Sequence, residues 1–90
     1  MRVELATQVV EFVRGLPPEP KRLLRLALHA LEEERGDIKA LTDELAGYYR
    51  LRVGRYRVIF RRAMKEGSPI ICCDYAEKRA VIYRQFKPEP

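Results

Sequence analysis

The sequence predicts an α+β fold in which an N-terminal strand and a helical hairpin pack on a mostly antiparallel sheet of four to five strands. Two observations predict it: apolar residues recur at helical spacing in the first half of the chain, and they alternate with basic residues in the second half. Apolar residues make up 47% and charged residues 34% of the 90 residues, which suits one modest core. Residues 1–90 are therefore predicted to form a single domain.

The first half contains one predicted strand and two predicted helices. Val3 and Leu5 alternate with charged residues, which indicates a short strand at an edge of the sheet. A helix is expected to follow from an N-cap at Thr7, and the glycine and prolines of segment 15–18 separate it from a second helix. Segment 37–46 is predicted to add one or two helical turns.

The second half is predicted to form the rest of the sheet. Alternation predicts strands over 49–53 and 56–61, joined by a turn at Gly54. A third strand is predicted over 70–75, where both faces are apolar, so this strand is expected to be central. A fourth strand is predicted over 80–86.

Charge is distributed unevenly along the chain. Residues 1–45 hold seven Lys/Arg and nine Asp/Glu, a net charge of −2, whereas residues 46–90 hold eleven and four, a net charge of +7. Six arginines lie between Arg50 and Arg62 with no acidic residue among them. This concentration indicates a polyanionic partner, either nucleic acid or an acidic protein segment. A basic surface that only keeps the protein soluble is the alternative.

The composition argues against several other kinds of site. Cys72 and Cys73 are adjacent, so on a strand they point to opposite faces and cannot link distant segments by a disulfide. Together with a single histidine, His29, they do not supply the ligands of a zinc site, and no metal or other cofactor is expected. No apolar stretch is long enough to span a membrane, and the first residues do not resemble a signal peptide. A cytoplasmic protein that does not bind membranes is therefore expected.

Strand parity predicts one basic surface. Arginines and apolar residues of the alternating strands point to opposite faces, so an apolar face packed on the helices leaves the arginines facing outward. The predicted concave surface gathers Arg50, Arg52, Arg57, Arg79 and Tyr83. Converging guanidinium groups bind a phosphodiester, and a tyrosine can stack on a base or donate its phenol proton. The alternative is that these arginines are ordinary exposed strand residues with ion-pair partners.

The same residues resemble a known family. The run Tyr-Arg-Leu-Arg-Val-Gly-Arg-Tyr-Arg-Val-Ile-Phe at 49–60 follows the Leu-Ala-Gly of 45–47, and the pair Lys78 and Arg79 precedes Tyr83. This combination resembles the RelE/ParE superfamily of type II toxin–antitoxin toxins, and the resemblance covers essentially the whole chain. The superfamily includes ribosome-dependent mRNA endonucleases, similar to RelE, and gyrase poisons, similar to ParE.

The resemblance to RelE-like members implies a metal-independent endoribonuclease, in which the 2′-hydroxyl of the substrate attacks the adjacent phosphate. The catalytic residues that it implies are Arg50, Arg57, Arg79 and Tyr83. The residues assigned to RNA binding are Arg52, Arg55, Arg61 and Lys78. Arginine cannot act as the general base, because its pKa lies above about 12. The candidates for that role are Lys78, Tyr83 and Glu77.

The expected protein is thus a toxin that inhibits translation by cutting mRNA on the ribosome and that a cognate acidic antitoxin neutralises. A homodimer, or a heterotetramer with the antitoxin, is compatible with this class. Two alternatives stay open: a ParE-like inhibitor of DNA gyrase, and a non-catalytic relative that acts as a binding module.

Overall fold

A computed structural model describes residues 1–88. Within these residues the elements follow in the order β1 (Arg2–Leu5), α1 (Thr7–Arg14), α2 (Pro18–Ala30), β2 (Asp37–Ala40), β3 (Tyr48–Val53), β4 (Tyr56–Lys65), β5 (Ser68–Lys78) and α3 (Ile82–Gln85). The strands form one sheet in the order β1-β5-β4-β3-β2. β1 runs parallel to β5, and the other neighbouring pairs are antiparallel. The predicted α+β class, with a mostly antiparallel sheet of four to five strands, is confirmed.

The helical hairpin packs on one face of the sheet through a stripe of aliphatic residues. α1 buries Val9 and Val13, and α2 buries Leu24 and Leu28. These side chains join Phe60 and other sheet residues in the larger of two hydrophobic clusters. The burial of apolar surface between the hairpin and the sheet therefore holds the two layers together.

Thr7 does not cap α1, contrary to the prediction. Ala6 occupies the N-cap position in an extended conformation, and its backbone N–H donates to the carbonyl of Cys73 at 2.9 Å. This continuation of the β1–β5 pairing holds Ala6 extended, so Thr7 is the first helical residue. α2 begins at Pro18, where the missing N–H of proline costs nothing because the first turn of a helix has no partner for it.

Segment 37–46 contains a strand where helical turns were predicted. Residues Asp37–Ala40 form β2, which pairs antiparallel with β3 and places Ile38 opposite Leu51. A short 3₁₀ turn, Asp43–Leu45, follows. The local pattern did not reveal β2, because pairing with the otherwise open edge of β3 depends on a segment more than ten residues away in sequence.

The prediction of a strand over 80–86 is also wrong. β5 already has neighbours on both sides, so the chain that leaves it at Lys78 finds no free strand beside it. It turns into α3 and buries Ile82 and Phe86, which are four residues apart as on one face of a helix. The third predicted strand is longer than expected and is an interior strand of the sheet, as predicted for its position.

α3 covers the face of the sheet opposite the helical hairpin. Ile82 and Phe86 pack there against Ile59 of β4 in a second, smaller cluster, to which Tyr48 and Tyr75 add partly buried rings. Arg57 lies two residues before Ile59 on the same strand face, beside this cluster. The smaller cluster thus lies beside the basic residues on this face of the sheet. The structure contains no helix, within residues 1–88, that is long and apolar enough to cross a membrane.

Candidate functional site

The β3–β4 hairpin places three predicted site residues on one face of the sheet. Arg57 lies directly opposite Arg52 in the antiparallel register, and Arg50 is two residues from Arg52 on the same strand. Leu51 and Val58 form the adjacent cross-strand pair and face the helical hairpin. Alternation along two paired strands is therefore sufficient to separate the arginines from the larger core.

Arg57 is buried, although the sequence predicts that it faces outward. Only 7% of the residue is exposed. Its Nη1 donates to the carbonyl oxygens of Gly54 at 2.8 Å and of Tyr56 at 2.9 Å, so the side chain folds back over the hairpin turn. Strand parity gave the correct face, but a side chain that folds back over the turn is buried rather than exposed to solvent.

Four arginines interact electrostatically at this position. Burial lowers the pKa of the Arg57 guanidinium, and the charges of Arg50, Arg52 and Arg79 lower the pKa further. Tyr83 is also close enough to act on the same group, in the opposite direction. The other four residues of the predicted surface therefore lie near enough to Arg57 to act on its charge.

Asp37 is a site residue that sequence reasoning missed. Its carboxylate accepts from Arg52 Nε at 2.6 Å and from Arg50 Nη1 at 3.2 Å, and its backbone carbonyl accepts from the same Arg50 Nη1 at 3.1 Å. These contacts lower the pKa of the Asp37 carboxyl, the hydrogen bond from Arg50 being the largest cause. The signal that would have found Asp37 is the pairing of β2 with β3, which puts it directly opposite Arg52.

Arg79 and Tyr83 reach the site from a turn and a helix rather than from a strand. The backbone N–H of Arg79 donates to the carbonyl of Arg55 at 2.8 Å, which attaches the segment after β5 to the tip of the β3–β4 hairpin. Tyr83 lies in α3 with 46% of its surface exposed. The predicted grouping of these residues holds, but the strand that was expected to carry them does not exist.

The hairpin tip also carries a basic cavity. Arg55, Lys78, Arg79 and Ala80 line a cavity of about 460 Å³. Arg55, Lys78 and Arg79 are exposed, and none of them forms an ion pair with a carboxylate within residues 1–88. Three of the residues predicted to contact RNA or its phosphates are therefore available to an external anion.

Arg61 lies apart from this group. It is four residues further along β4 from Arg57, and its Nε donates to Asp74 at 2.8 Å. This hydrogen bond with Asp74 raises the pKa of Arg61. The neighbouring Arg62 contacts Glu34 and lies over the ring of Tyr49 at 5.4 Å. The alternative raised for the predicted surface, ordinary strand residues with ion-pair partners, describes the contacts of Arg50 and Arg52 with Asp37, and Arg61 and Arg62 are ion-paired in the same way.

The three candidates for the general base occupy different positions. Glu77 lies opposite Arg57 in the register of β4 and β5, and its Oε1 accepts from the backbone N–H of Lys78 at 2.8 Å. Lys78 is exposed at the end of β5, and Tyr83 follows in α3. All three remain candidates, and the carboxylate of Glu77 is hydrogen-bonded to the backbone of the next residue.

The cysteines and the acidic residues form no site of their own. Burial raises the pKa of the Cys73 thiol to about 12, which makes it an unreactive core residue, and Cys72 is partly buried. Among residues 1–88 there is no group of three or more His, Cys, Asp or Glu side chains that could hold a metal ion. His29 is exposed beside Glu32, far along the chain from the arginines.

The sheet and its helical layer thus carry a group of arginines, Arg50, Arg52 and Arg57, on the face opposite the helical hairpin. No protein-family model and no curated protein matches the chain. Solved structures do match it. It is 25% identical to a chain of the RelBE2 toxin–antitoxin complex from Mycobacterium tuberculosis, with a TM-score of 0.68, over 87% of this chain and 96% of that one.

Two further structures are similar. The archaeal RelE–RelB complex from Pyrococcus horikoshii OT3 contains a chain that is 28% identical, with a TM-score of 0.65, over 87% of this chain and 93% of that chain. The YoeB/ParE toxin from Agrobacterium tumefaciens shares the fold at 13% identity, with a TM-score of 0.69, over 87% and 98% of the two chains. The fold and the structural neighbours support a RelE/ParE-superfamily toxin, in agreement with the resemblance noted in the sequence.

Proposed function

We propose that this protein is the toxin of a toxin–antitoxin pair and that it cleaves mRNA on the ribosome without a metal ion or other cofactor. The observation that carries the proposal is the group of four arginines formed by Arg57 with Arg50, Arg52 and Arg79; Arg57 lies opposite Arg52 on the paired strands, and burial and the charges of the other three lower its pKa. Like charges held this close cost free energy in the unliganded protein. An anionic substrate between them offsets that cost, and RNA supplies such an anion at every nucleotide.

The chemistry open to these residues is phosphoryl transfer within the substrate. The 2′-hydroxyl oxygen attacks the adjacent phosphorus, the bond to the 5′-oxygen of the next nucleotide breaks, and a 2′,3′-cyclic phosphate and a 5′-hydroxyl result. One group must accept the 2′-hydroxyl proton and another must protonate the 5′-oxygen. Guanidinium groups of Arg50, Arg57 and Arg79 are suited to the negative charge that develops on the phosphate oxygens.

Proton transfer falls to the remaining candidates. Tyr83 is exposed in α3 and can donate or accept a proton through its phenol, while Lys78 and Glu77 lie at the end of β5. Histidine, the most common general base, is not among these three candidates. The ribosome would then contribute by orienting the mRNA for attack. This contribution would explain why the enzyme depends on the ribosome.

Basic residues beyond the cluster are proposed to extend the RNA contact. Arg55 and Lys78 border the cavity at the hairpin tip, and Arg52 lies exposed beside Arg50. Arg61, in the middle of β4, is proposed to contact RNA further from the hairpin tip. An acidic antitoxin segment that covers the same surface would block substrate access, and the +7 charge of residues 46–90 would attract it.

The test compares wild type with Arg79→Ala after induced expression without an antitoxin. Arg79 is exposed and donates only a backbone hydrogen bond here, so its side chain can be removed without disturbing the fold. Primer extension on a translated message should show cleavage by wild type and a loss of about 100- to 1000-fold in Arg79→Ala. Arg14→Ala removes an exposed arginine from the last turn of α1, on the other side of the sheet, and should cleave like wild type.

Pulse labelling identifies the target independently. Protein synthesis should stop first in wild type. If DNA synthesis stops first while translation continues, the protein is a gyrase inhibitor and the proposal is wrong. If neither stops and no message is cut, the protein is a binding module.

A further inference from the structure

The arginine cluster contains one internal counter-charge. Within residues 1–88 Asp37 is the carboxylate that contacts the site arginines, and it binds both Arg50 and Arg52. Arg55, Arg57 and Arg79 have no carboxylate partner in the same part of the chain. A single negative charge is thus shared between two guanidinium groups at the β2 edge of the site.

The geometry of these contacts orients Arg50 in particular. Its side chain is only 16% exposed, and Nη1 is held twice by Asp37, through the carboxylate and the backbone carbonyl. Nε and Nη2 donate to no group in the described residues, so they remain for a phosphate. Arg52 is 54% exposed and donates Nε to the other carboxylate oxygen, which leaves its two terminal nitrogens available.

We infer that Asp37 is the positioning residue of this site: it aims Arg50 and Arg52 at the phosphate and offsets one positive charge around Arg57. What the inference predicts for mRNA cleavage rests on the proposed function, whereas what it predicts for RNA affinity does not. Without Asp37 the two arginines would repel each other and Arg57, and they would turn outward. An outward-turned, more positive surface binds RNA more tightly but holds the phosphate in a poorer geometry for attack.

This argument predicts opposite effects on binding and on cleavage. In Asp37→Asn the amide oxygen can still accept a hydrogen bond, and the backbone carbonyl contact to Arg50 is unchanged. Affinity for a single-stranded RNA should rise about two- to fivefold, as expected for removal of one exposed counter-charge. The plot of log affinity against log salt concentration should become steeper by about 0.7. Cleavage of a translated message should fall about 10- to 100-fold, because misplaced contacts affect the transition state most.

The binding experiment uses purified toxin and a labelled 2′-O-methyl RNA oligonucleotide, which cannot be cleaved by attack of a 2′-hydroxyl. Glu19→Gln is the matched control, since it removes an exposed carboxylate that pairs with Arg22 on α2 and changes the total charge by the same amount. It should leave cleavage unchanged and alter affinity less than Asp37→Asn does. Asp37→Glu keeps the charge and should restore wild-type affinity and part of the cleavage.

The outcomes separate the possible roles of Asp37. Equal affinities for Asp37→Asn and Glu19→Gln overturn the inference, and so does a parallel loss of affinity and cleavage, which a merely structural residue would produce. Thermal melts of each variant show whether a loss comes from unfolding. If wild type cuts no message, the proposed function fails, and the affinity and salt dependence alone decide on Asp37.

Discussion

Replacing Arg57 with alanine should destabilise the protein, even though Arg57 belongs to a site where positive charges repel. The substitution removes the donor to the carbonyls of Gly54 and Tyr56, at 2.8 and 2.9 Å. A hydrogen bond to a charged group contributes about 1.5–3 kcal/mol. One Nη1 makes both contacts, so the two bonds together contribute less than twice that amount.

Relief of repulsion acts in the other direction. Arg50, Arg52 and Arg79 lower the pKa of Arg57, and their repulsion disappears with the guanidinium. The apolar stem of the side chain is buried as well, and each buried methylene contributes about 0.8 kcal/mol. The hydrogen bonds and the stem should outweigh the repulsion, with a net loss of about 2 kcal/mol.

Thermal and urea denaturation measure this loss. For a domain of this size about 2 kcal/mol lowers the Tm by roughly 8–16 °C. Arg57→Met keeps most of the stem and should recover part of the loss. Arg79→Ala, which removes an exposed arginine that forms no ion pair within residues 1–88, should stay within about 0.5 kcal/mol of wild type. If Arg57→Ala melts with wild type, the burial and turn contacts of Arg57 do not stabilise the fold, and its position must be attributed to function alone.

The remaining predictions concern the core, one turn and the base. Burial raises the pKa of Cys73 to about 12, so the thiol of the unfolded chain loses its proton at a lower pH than the thiol of the folded protein. The free energy of unfolding should therefore fall from pH 9 upward. Urea denaturation up to pH 11 should show a smaller fall for Cys73→Ala than for wild type. Gly36→Ala should destabilise more than Gly67→Ala in thermal melts, since both glycines have positive φ but a Cβ at Gly36 would lie 2.8 Å from Leu51 Cδ1. Tyr83→Phe should retain RNA affinity and lose cleavage if the phenol transfers a proton, and equal cleavage by the two proteins would leave Lys78 or Glu77 as the base.

Much of the fold was readable from local patterns. The alternation of residues 49–53 and 56–61 around Gly54 specifies a hairpin, because side chains on a strand alternate between its two faces. The same parity put Arg50, Arg52 and Arg57 on one side without any knowledge of the other strands. The aliphatic spacing in α1 and α2 likewise specified the helical layer. These features depend on neighbours within a few residues.

Tertiary pairing decided the rest. Segment 37–40 became a strand because β3 had an open edge, and this pairing brought Asp37 to Arg50 and Arg52. Segment 82–85 became a helix because β5 has a neighbouring strand on each side and offers no open edge for pairing. Arg57 is buried because its side chain folds over its own turn, among arginines from three segments of the chain. The arginines were visible in the sequence by themselves. The pairing of Asp37 with Arg50 and Arg52, and the attachment of the Arg79 segment to the hairpin tip, follow only from contacts between distant segments.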